Sequence, residues 1–354
     1  MVTEPKAVWI TTPRLVLRRP RADDLDDYVR IHTDPRTYAH APHAMPTPDG
    51  CRDRLAADLD DWDAFGIGYA AVVDRESGEL IGWAGLRYKN SDDHFFNLYY
   101  RLTHDRLGQG LGREISRAVV AWGVEYRPEV PVTALVDDVN AASLATARSS
   151  GLVEAGTRVH RDDPPDAKPM ILFEAPTVSG VAADAFDEAL ASDVLDLWVR
   201  VNDAGGSVGF LPGASRDAVR AALDPHVADL QASVTMLCVL RDPDGTLRGL
   251  GFWEHSRGFP YTHLAGLKRL MVDPAAQGRN LGRILLGGMV GIARRELPEV
   301  ELLRLDYRDG LGLGEFYGRA GWTEVGRVPR GLKLSESDYR DDVTMVRRVD
   351  ETLS

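Results

Sequence analysis

Cysteine is nearly missing from this 354-residue chain: Cys51 and Cys238 stand far apart, with no Cys-x-x-Cys and no zinc-ligand spacing. That argues against a disulfide framework and against a metal site, and it predicts a reducing, cytoplasmic setting. Long apolar runs are missing too. Nothing approaches the roughly 18 consecutive apolar residues of a membrane span. Met1–Pro20 scatters charges where a secretory leader needs an apolar block, so no signal peptide is expected. Positive charge is in the minority, with 42 Lys and Arg against 54 Asp and Glu and a net charge of −12. A nucleic-acid groove or an anionic membrane surface needs basic patches, so neither partner is expected. The acidic balance is compatible with a cationic small molecule. Hydrophobic residues make up 44% and charged residues 27%, a mix that suits soluble globular domains.

What the chain does have is a copy of itself. Gly108, Gly112, Gly151, Glu154 and Gly156 recur at one constant offset as Gly278, Gly282, Gly321, Glu324 and Gly326. DRLGQGLGR (105–113) faces AAQGRNLGR (275–283), and GLVEAG (151–156) faces GWTEVG (321–326). Solenoid repeats run about 20–50 residues. This offset is the length of a domain, so the expectation is one fold written twice: 1–176 and 181–354, joined near Ala175–Ala183, a small and polar stretch.

Local patterns predict the same order of elements in each half. In the first, a strand at Arg14–Arg18 precedes a helix capped by Asp23 or Asp24, with Leu25, Tyr28 and Ile31 on one face. Ala39–Gly50 reads as a Pro/His loop. Strands follow at Gly68–Asp74, Leu80–Leu86 and Phe95–Leu102, the first two joined by the turn Arg75–Glu79. After the glycine loop comes a helix with Ile115, Ala118, Val119 and Trp122 on one face. Val132–Val136 is a strand, Ala141–Ser150 a helix, and Leu152–His160 with Met170–Glu174 a closing pair. In the second half, Phe186–Val201 is a helix, and Val234–Leu240 and Leu247–Trp253 are strands around the turn Asp242–Gly245. His263–Val272 leads into the second glycine loop, followed by a helix burying Leu281, Leu285, Met289 and Ile292. Leu302–Asp306, Glu315–Ala320, Thr323–Pro329 and Val343–Val349 complete the copy. The fold class expected is α/β (α+β), a mixed, mostly antiparallel sheet flanked by helices in each half.

A strand, a glycine loop and a helix N-terminus together form an anion site, where backbone N–H groups converge and the helix dipole favours negative charge. Each loop falls in the middle of its half, not after the first strand, which argues against a Rossmann dinucleotide site. The arrangement resembles the GCN5-related N-acetyltransferase (GNAT) family, whose pyrophosphate motif is Gln/Arg-x-x-Gly-x-Gly/Ala after the fourth strand. The first half resembles the ribosomal-protein-alanine acetyltransferase branch through TPRLVLRRP (12–20), the loop 107–112, Asn140-Ala-Ala-Ser143 and Gly151. The other half resembles the tabtoxin-resistance acetyltransferase branch through GSVGFL (206–211), His263, RLMVDP (269–274), LDYR (305–308) and FYGRAGW (316–322). Each copy departs from the motif once. Leu107 replaces Gln/Arg in the first; in the second Asn280 replaces the middle glycine, and of the non-glycine residues Asn is among those that best tolerate positive φ.

The resemblance implies acetyl-CoA as cofactor and a division of roles. Leu270, Met271, Val272, Gln277, Gly278, Arg279, Asn280, Leu281, Gly282 and Arg283 would hold coenzyme A in the second half. Leu102, Gly108, Gln109, Gly110, Leu111 and Gly112 would do so in the first. Asn140 and Ser143 would bond the pantetheine arm, with a helix N-cap as the alternative for Asn140. Acetyl transfer needs a polarised carbonyl, a deprotonated amine and a proton for the departing thiolate. The carbonyl oxygen would meet a backbone N–H in Leu270–Val272 or Tyr100–Leu102. Tyr317, four residues before Gly321-Trp322, stands where the family keeps its acid; the offset puts Ala147 there in the first half. Asn97 occupies the first half's base position, and an amide cannot take a proton. In the second half Gly266 replaces the branch's glutamate, which leaves His263, Glu254, His255 and Asp306 as candidates. Phe210 and Leu211 in the loop 206–213, with Phe259 and Tyr261, offer an apolar wall for the acceptor.

The function expected is acetyl-CoA-dependent N-acetylation of a small amine, an antibiotic or biosynthetic intermediate, with the second half catalytic. Acetylation of a protein N-terminus by the first half, and a non-catalytic acyl-CoA-binding protein, are the alternatives. The excess of Arg over Lys suggests a high-GC bacterial source. Tandem members from such sources include mycothiol synthase and one from the clavulanic acid pathway, and mycothiol synthesis is the weaker expectation because the first half resembles the ribosomal-protein branch. A monomer or homodimer is expected.

Overall fold

The computed structural model describes residues 8–39, 41–89, 94–159, 166–255 and 258–351. Its contacts divide the chain into two compact units. Of the described residues, the first holds those up to Gly123 and from Glu129 to Ala175; the second holds Val124–Pro128 and Pro176–Glu351.

The first unit's sheet has eight strands in the order β1-β2-β3-β4-β5-β6-β8-β7. They are β1 (Val8–Thr11), β2 (Leu15–Arg18), β3 (Tyr69–Asp74), β4 (Leu80–Lys89), β5 (Phe95–Leu102), β6 (Val132–Val136), β7 (Val153–Arg158) and β8 (Met170–Glu174). Among the described residues, only β5 and β6 run parallel. The helices are α1 (Leu25–His32), α2 (Pro48–Phe65), α3 (Leu111–Tyr126) and α4 (Ala141–Ser149). Tyr28 and Ile31 of α1 pack with Cys51 and Leu55 of α2 against Ala71 and Trp83. Asp24 does precede α1, but its carboxylate is bonded by the Arg21 N–H (2.7 Å) and ion-paired with Arg18 (2.6 Å) rather than capping the helix.

Among the described residues, the second sheet has seven strands, ordered β14-β15-β13-β12-β11-β10-β9, and its only parallel pair is β12 with β13. Its strands are β9 (Thr177–Val181), β10 (Thr235–Arg241), β11 (Leu247–His255), β12 (Leu264–Val272), β13 (Leu302–Arg308), β14 (Thr323–Lys333) and β15 (Tyr339–Arg348). Its helices are α5 (Glu188–Asp203), α6 (Arg216–Gln231), α7 (Leu281–Glu296) and the short α8 (Leu313–Gly318). Trp198 and Val194 of α5 and Val219 and Leu223 of α6 form one core with Leu237, Leu250 and Phe252.

Three expectations need correction. The loop expected at Ala39–Gly50 gives way at Pro48 to an 18-residue helix, capped by Thr47 and closed by Gly66 at φ +67. The buried stripe of α2 is Cys51, Leu55, Asp58 and Trp62, and a carboxylate in an apolar stripe masks the helical period. Second, α6 was not expected at all; Pro225 lies inside it and interrupts the helical signal. Third, the polar join at Ala175–Ala183 contains β9, an edge strand paired with β10 from Leu237↔Val181 to Arg241↔Thr177. The strand β1, Val8–Thr11, was not expected either; elsewhere the differences are at element ends, and His160 lies outside the described residues.

Candidate active site

Both glycine loops take one backbone path. Gly108 and Gly110 sit at φ +73 and +75, and Gly278 and Asn280 at φ +78 and +70. Asn280 therefore adopts the left-handed conformation that the motif's middle glycine supplies. A Cβ added at Gly108 or Gly278 would meet nothing within 4 Å, so the space beside each loop is open to a ligand. Gln277, Gly278 and Arg279 are exposed, Asn280 and Leu281 are buried, and Gly282 and Arg283 open the first turn of α7. Gly282 faces Phe316 and Gly112 faces Tyr100, each ring 3.3–3.4 Å from where a Cβ would stand.

The helix ends behind the loops differ in charge. In α3 the first turn holds Glu114, which accepts from Thr12 (2.7 Å) and pairs with Arg14 (2.7 Å). Burial alone would raise the Glu114 pKa, but the bonds from Thr12 and Arg14 outweigh it and hold the group below its ordinary range. Arg14 also donates to the Gln109 carbonyl (2.9 Å). A fixed carboxylate here opposes an incoming anion. The first turn of α7 carries no acid.

Each parallel pair opens into a fork. β5 and β6 pair only at Phe96↔Val132 and Asn97↔Thr133, though β5 continues to Leu102. β12 and β13 pair from Leu264↔Leu302 to Leu267↔Leu305, and then β12 runs on to Val272 without that partner. Backbone groups past the fork are thus left for a ligand. The forks are built differently. β4 and β5 keep an unbroken register from Gly82↔Leu102 to Lys89↔Phe95. Against β11, β12 slips between Phe252↔Lys268 and Leu250↔Met271, a bulge with Arg269 at φ +56. A bulge re-aims backbone groups and is common beside active sites.

Tyr317 lies on α8, 7% exposed, among Tyr307 (5.8 Å between ring centres), Phe316 (5.0 Å) and Trp322 (6.2 Å). Burial raises its pKa, with the Tyr307 charge adding to the shift, so the phenol keeps its proton at neutral pH. Trp322 Nε1 beside it is buried with no hydrogen-bond partner. At the equivalent place in the first unit, Ala147 is buried and offers no proton.

The base candidates are spread out. His263 is exposed in the turn before β12, six residues or about 20 Å of strand from Arg269, so the structure sets it apart from the fork. Glu254 pairs across the sheet with Gly266 and lies 3.9 Å from Lys268, about 10 Å of strand short of the bulge. Asp306 is the first residue of β13 past the fork, and it accepts from Thr344 (2.6 Å) and Arg304 (3.2 Å). Burial would raise its pKa, but these partners outweigh it and lower the value. Asp306 thus lies next to the fork along β13, and Tyr317 packs on Tyr307, two residues past the last pair.

The loop 206–213 is tied down by α5. Trp198 Nε1 donates to the Val208 carbonyl (3.1 Å), and Asn202 Nδ2 to that of Leu211 (2.8 Å). Phe210 turns in toward Trp198 (6.4 Å), whereas Leu211 (52% exposed), Phe259 (95%) and Tyr261 (62%) face solvent. Two residues of this neighbourhood were not expected: Arg269, because a bulge is a property of pairing, and His226, because it lies on the unforeseen α6. His226 stacks on Phe252 (4.8 Å), and burial and the Arg269 charge lower its pKa.

In the first unit, Asn140 is the N-cap of α4, accepting from Ser143 N–H (3.1 Å), and Ser143 Oγ accepts from Tyr100 Oη (3.1 Å). Both side chains thus have local partners. Asn97 Nδ2 donates to Tyr69 Oη (2.7 Å). Asp58 accepts from Trp83 Nε1 (2.9 Å) and pairs with Arg87 (2.5 Å). Among the described residues no cluster of His, Cys, Asp and Glu could hold a metal ion, and no helix is long and apolar enough to cross a membrane.

Residues 14–153 match the family model described as an acetyltransferase (GNAT) domain. A mycothiol acetyltransferase of Clavibacter michiganensis is 31% identical over 223 residues, which cover 62% of this chain and 66% of that protein, just under two thirds of its length. Among solved structures, a GnaT-family acetyltransferase from Bordetella pertussis is 25% identical, covering 48% of this chain and 98% of its own, with a TM-score of 0.41. A GCN5-related N-acetyltransferase from Kribbella flavida is 21% identical, covering 49% and 97%, with a TM-score of 0.39. The chain thus contains a GNAT acetyltransferase domain, over residues 14–153.

Proposed function

We propose that the chain is a tandem GNAT protein, 1–176 and 181–354, that transfers an acetyl group from acetyl-CoA to the amine of a small molecule, and that its second unit is the catalytic one. The observation that carries this reading is the bulge at Arg269, made in β12 and not in β5. It re-aims backbone groups of Leu270–Val272 where the fork opens, next to an anion-ready loop. The open space at Gly278, the left-handed Asn280 and the acid-free end of α7 fit a pyrophosphate. Gln277–Arg283 would hold it, and the bound donor supplies an activated thioester. Tyr317 holds a proton at Oη, kept there by burial, for the sulfur that acyl transfer releases. The aromatic lining of Trp198 and Phe210 restricts water on the acceptor side.

The first unit keeps the loop and the fork but has Ala147, Asn97 and the fixed Glu114 where the chemistry and the anion would need other groups. Its part is cofactor binding or structural support. This counts against the protein N-terminus as acceptor, and the likeness to a mycothiol acetyltransferase favours a small molecule.

The test is Tyr317→Phe. Loss of a positioned proton donor costs about 100-fold or more in kcat, with acetyl-CoA affinity unchanged. An unchanged kcat would remove Tyr317 from the mechanism.

A further inference from the structure

We infer that the acceptor amine carries an oxyanion group, in the simplest case a carboxylate, and that Arg269 holds it. This rests on the proposed function and narrows its substrate class.

Among the described residues, Arg269 is a partly desolvated cation without a counter-charge. Its Nε is buried and has no hydrogen-bond partner. Burial is the only influence that moves its pKa, downward, with no carboxylate nearby to offset it. That is unusual in a chain with 54 acids to 42 bases. Arg248 and Arg327 pair with carboxylates at 2.5 and 2.8 Å. Arg101, the first unit's arginine just ahead of its glycine loop, has no such ion pair either, but its donors are taken up by the fold. It bonds Tyr99 Oη (3.0 Å) and the Thr37 carbonyl (2.8 Å), and lies over the Tyr38 ring at 3.6 Å. Among the described residues, Arg269 has only the face of Trp198, at 5.2 Å.

Its position is also costly. A φ of +56 is strained for a residue with a side chain, and such strain concentrates where a ligand is held. Gly209, at φ +104, has no side chain, and any Cβ there would strike the Arg269 guanidinium. The loop 206–213 is thus shaped around this group. Arg269 stands two residues past the last paired residue of the fork, Leu267, on the face that carries Trp198 and His226. Arg269 is partly buried, and a partly desolvated charge without a partner is costly unless a ligand completes it. A guanidinium matches a carboxylate or a related oxyanion through two parallel hydrogen bonds. The chain's overall acidity had suggested a cationic ligand; the charge at this site is the reverse.

The experiment compares acetylation of matched amines by the full chain: phenylalanine with phenethylamine and leucine with isoamylamine, together with the corresponding 1-aminophosphonates. Acetyl-CoA binding is measured separately by native mass spectrometry. The oxyanion-bearing member should have a kcat/KM about 10–100-fold higher, the worth of a charge-assisted hydrogen bond. Arg269→Gln should erase that preference through KM, and Arg269→Lys should restore part of it. A phosphonate outperforming its carboxylate would fix which oxyanion is taken. If Arg269→Gln does not fold, the wild-type preference alone decides. Equal use of both members, a preference that survives Arg269→Gln, or an acetyl-CoA affinity that falls as far as the acceptor's would overturn the inference. So would bound acetyl-CoA with no transfer to any member. Failure to bind acetyl-CoA would instead overturn the proposed function itself.

Discussion

Asn280 shows how much one dihedral angle decides. At φ +70 an asparagine is tolerated, a glycine is unstrained and a β-branched residue is forced. Asn280→Gly should therefore bind acetyl-CoA at least as tightly as the wild type. Asn280→Val should lose about 1–2 kcal/mol of stability, read from urea unfolding, and bind more weakly. A valine variant as stable as the parent would show that the loop relaxes out of the left-handed region. Tyr317 illustrates the limit of sequence reading at this scale. Its spacing from Gly321-Trp322 marked it as an acid, while the burial that keeps it protonated is visible only in the packing around it. By the same token, its ionisation should cause no alkaline fall in kcat below about pH 10, the ordinary tyrosine value.

Among the elements, strands flanking the glycine loops were readable because alternation and turn residues punctuate them. The two helices that close over the sheets were not. In α2 the inward stripe includes Asp58 and in α6 it includes His226, polar residues that hide the helical period, and in α6 the exposed Pro225 adds a helix-breaking signal. β9 was missed because Ser179 and Gly180 supply little strand character, and its pairing with β10 makes up for that. Asp58 gives α2 a measurable signature. Burial pushes its pKa up to about 7, against the opposing pull of Arg87 and Trp83. The folded state thus keeps a proton that the unfolded chain has already lost near pH 4. The stability this contributes is full below that pH and fades as pH rises through about 7. Relative to Asp58→Asn, which cannot titrate, the wild type should lose ground over that interval in thermal melts. A gap that moves in the wild type's favour with rising pH would mean that the Arg87 pair outweighs desolvation.

For the whole molecule, one constant offset implies one fold written twice, and among the described residues each unit carries a mixed sheet with a single parallel pair. What the offset could not disclose is how far the copies have diverged. Both loops keep their left-handed positions, yet the bulge, the buried phenol and the acid-free helix end occur together only in the second unit. The account therefore predicts unequal consequences for equivalent lesions. The deciding measurement is acetyl transfer to an amine panel by the full chain carrying Gly112→Trp or Gly282→Trp, each of which fills one loop. Transfer should be abolished by Gly282→Trp and largely kept by Gly112→Trp. Transfer that survives at Gly282→Trp and is lost at Gly112→Trp would contradict it and move the chemistry to the first unit.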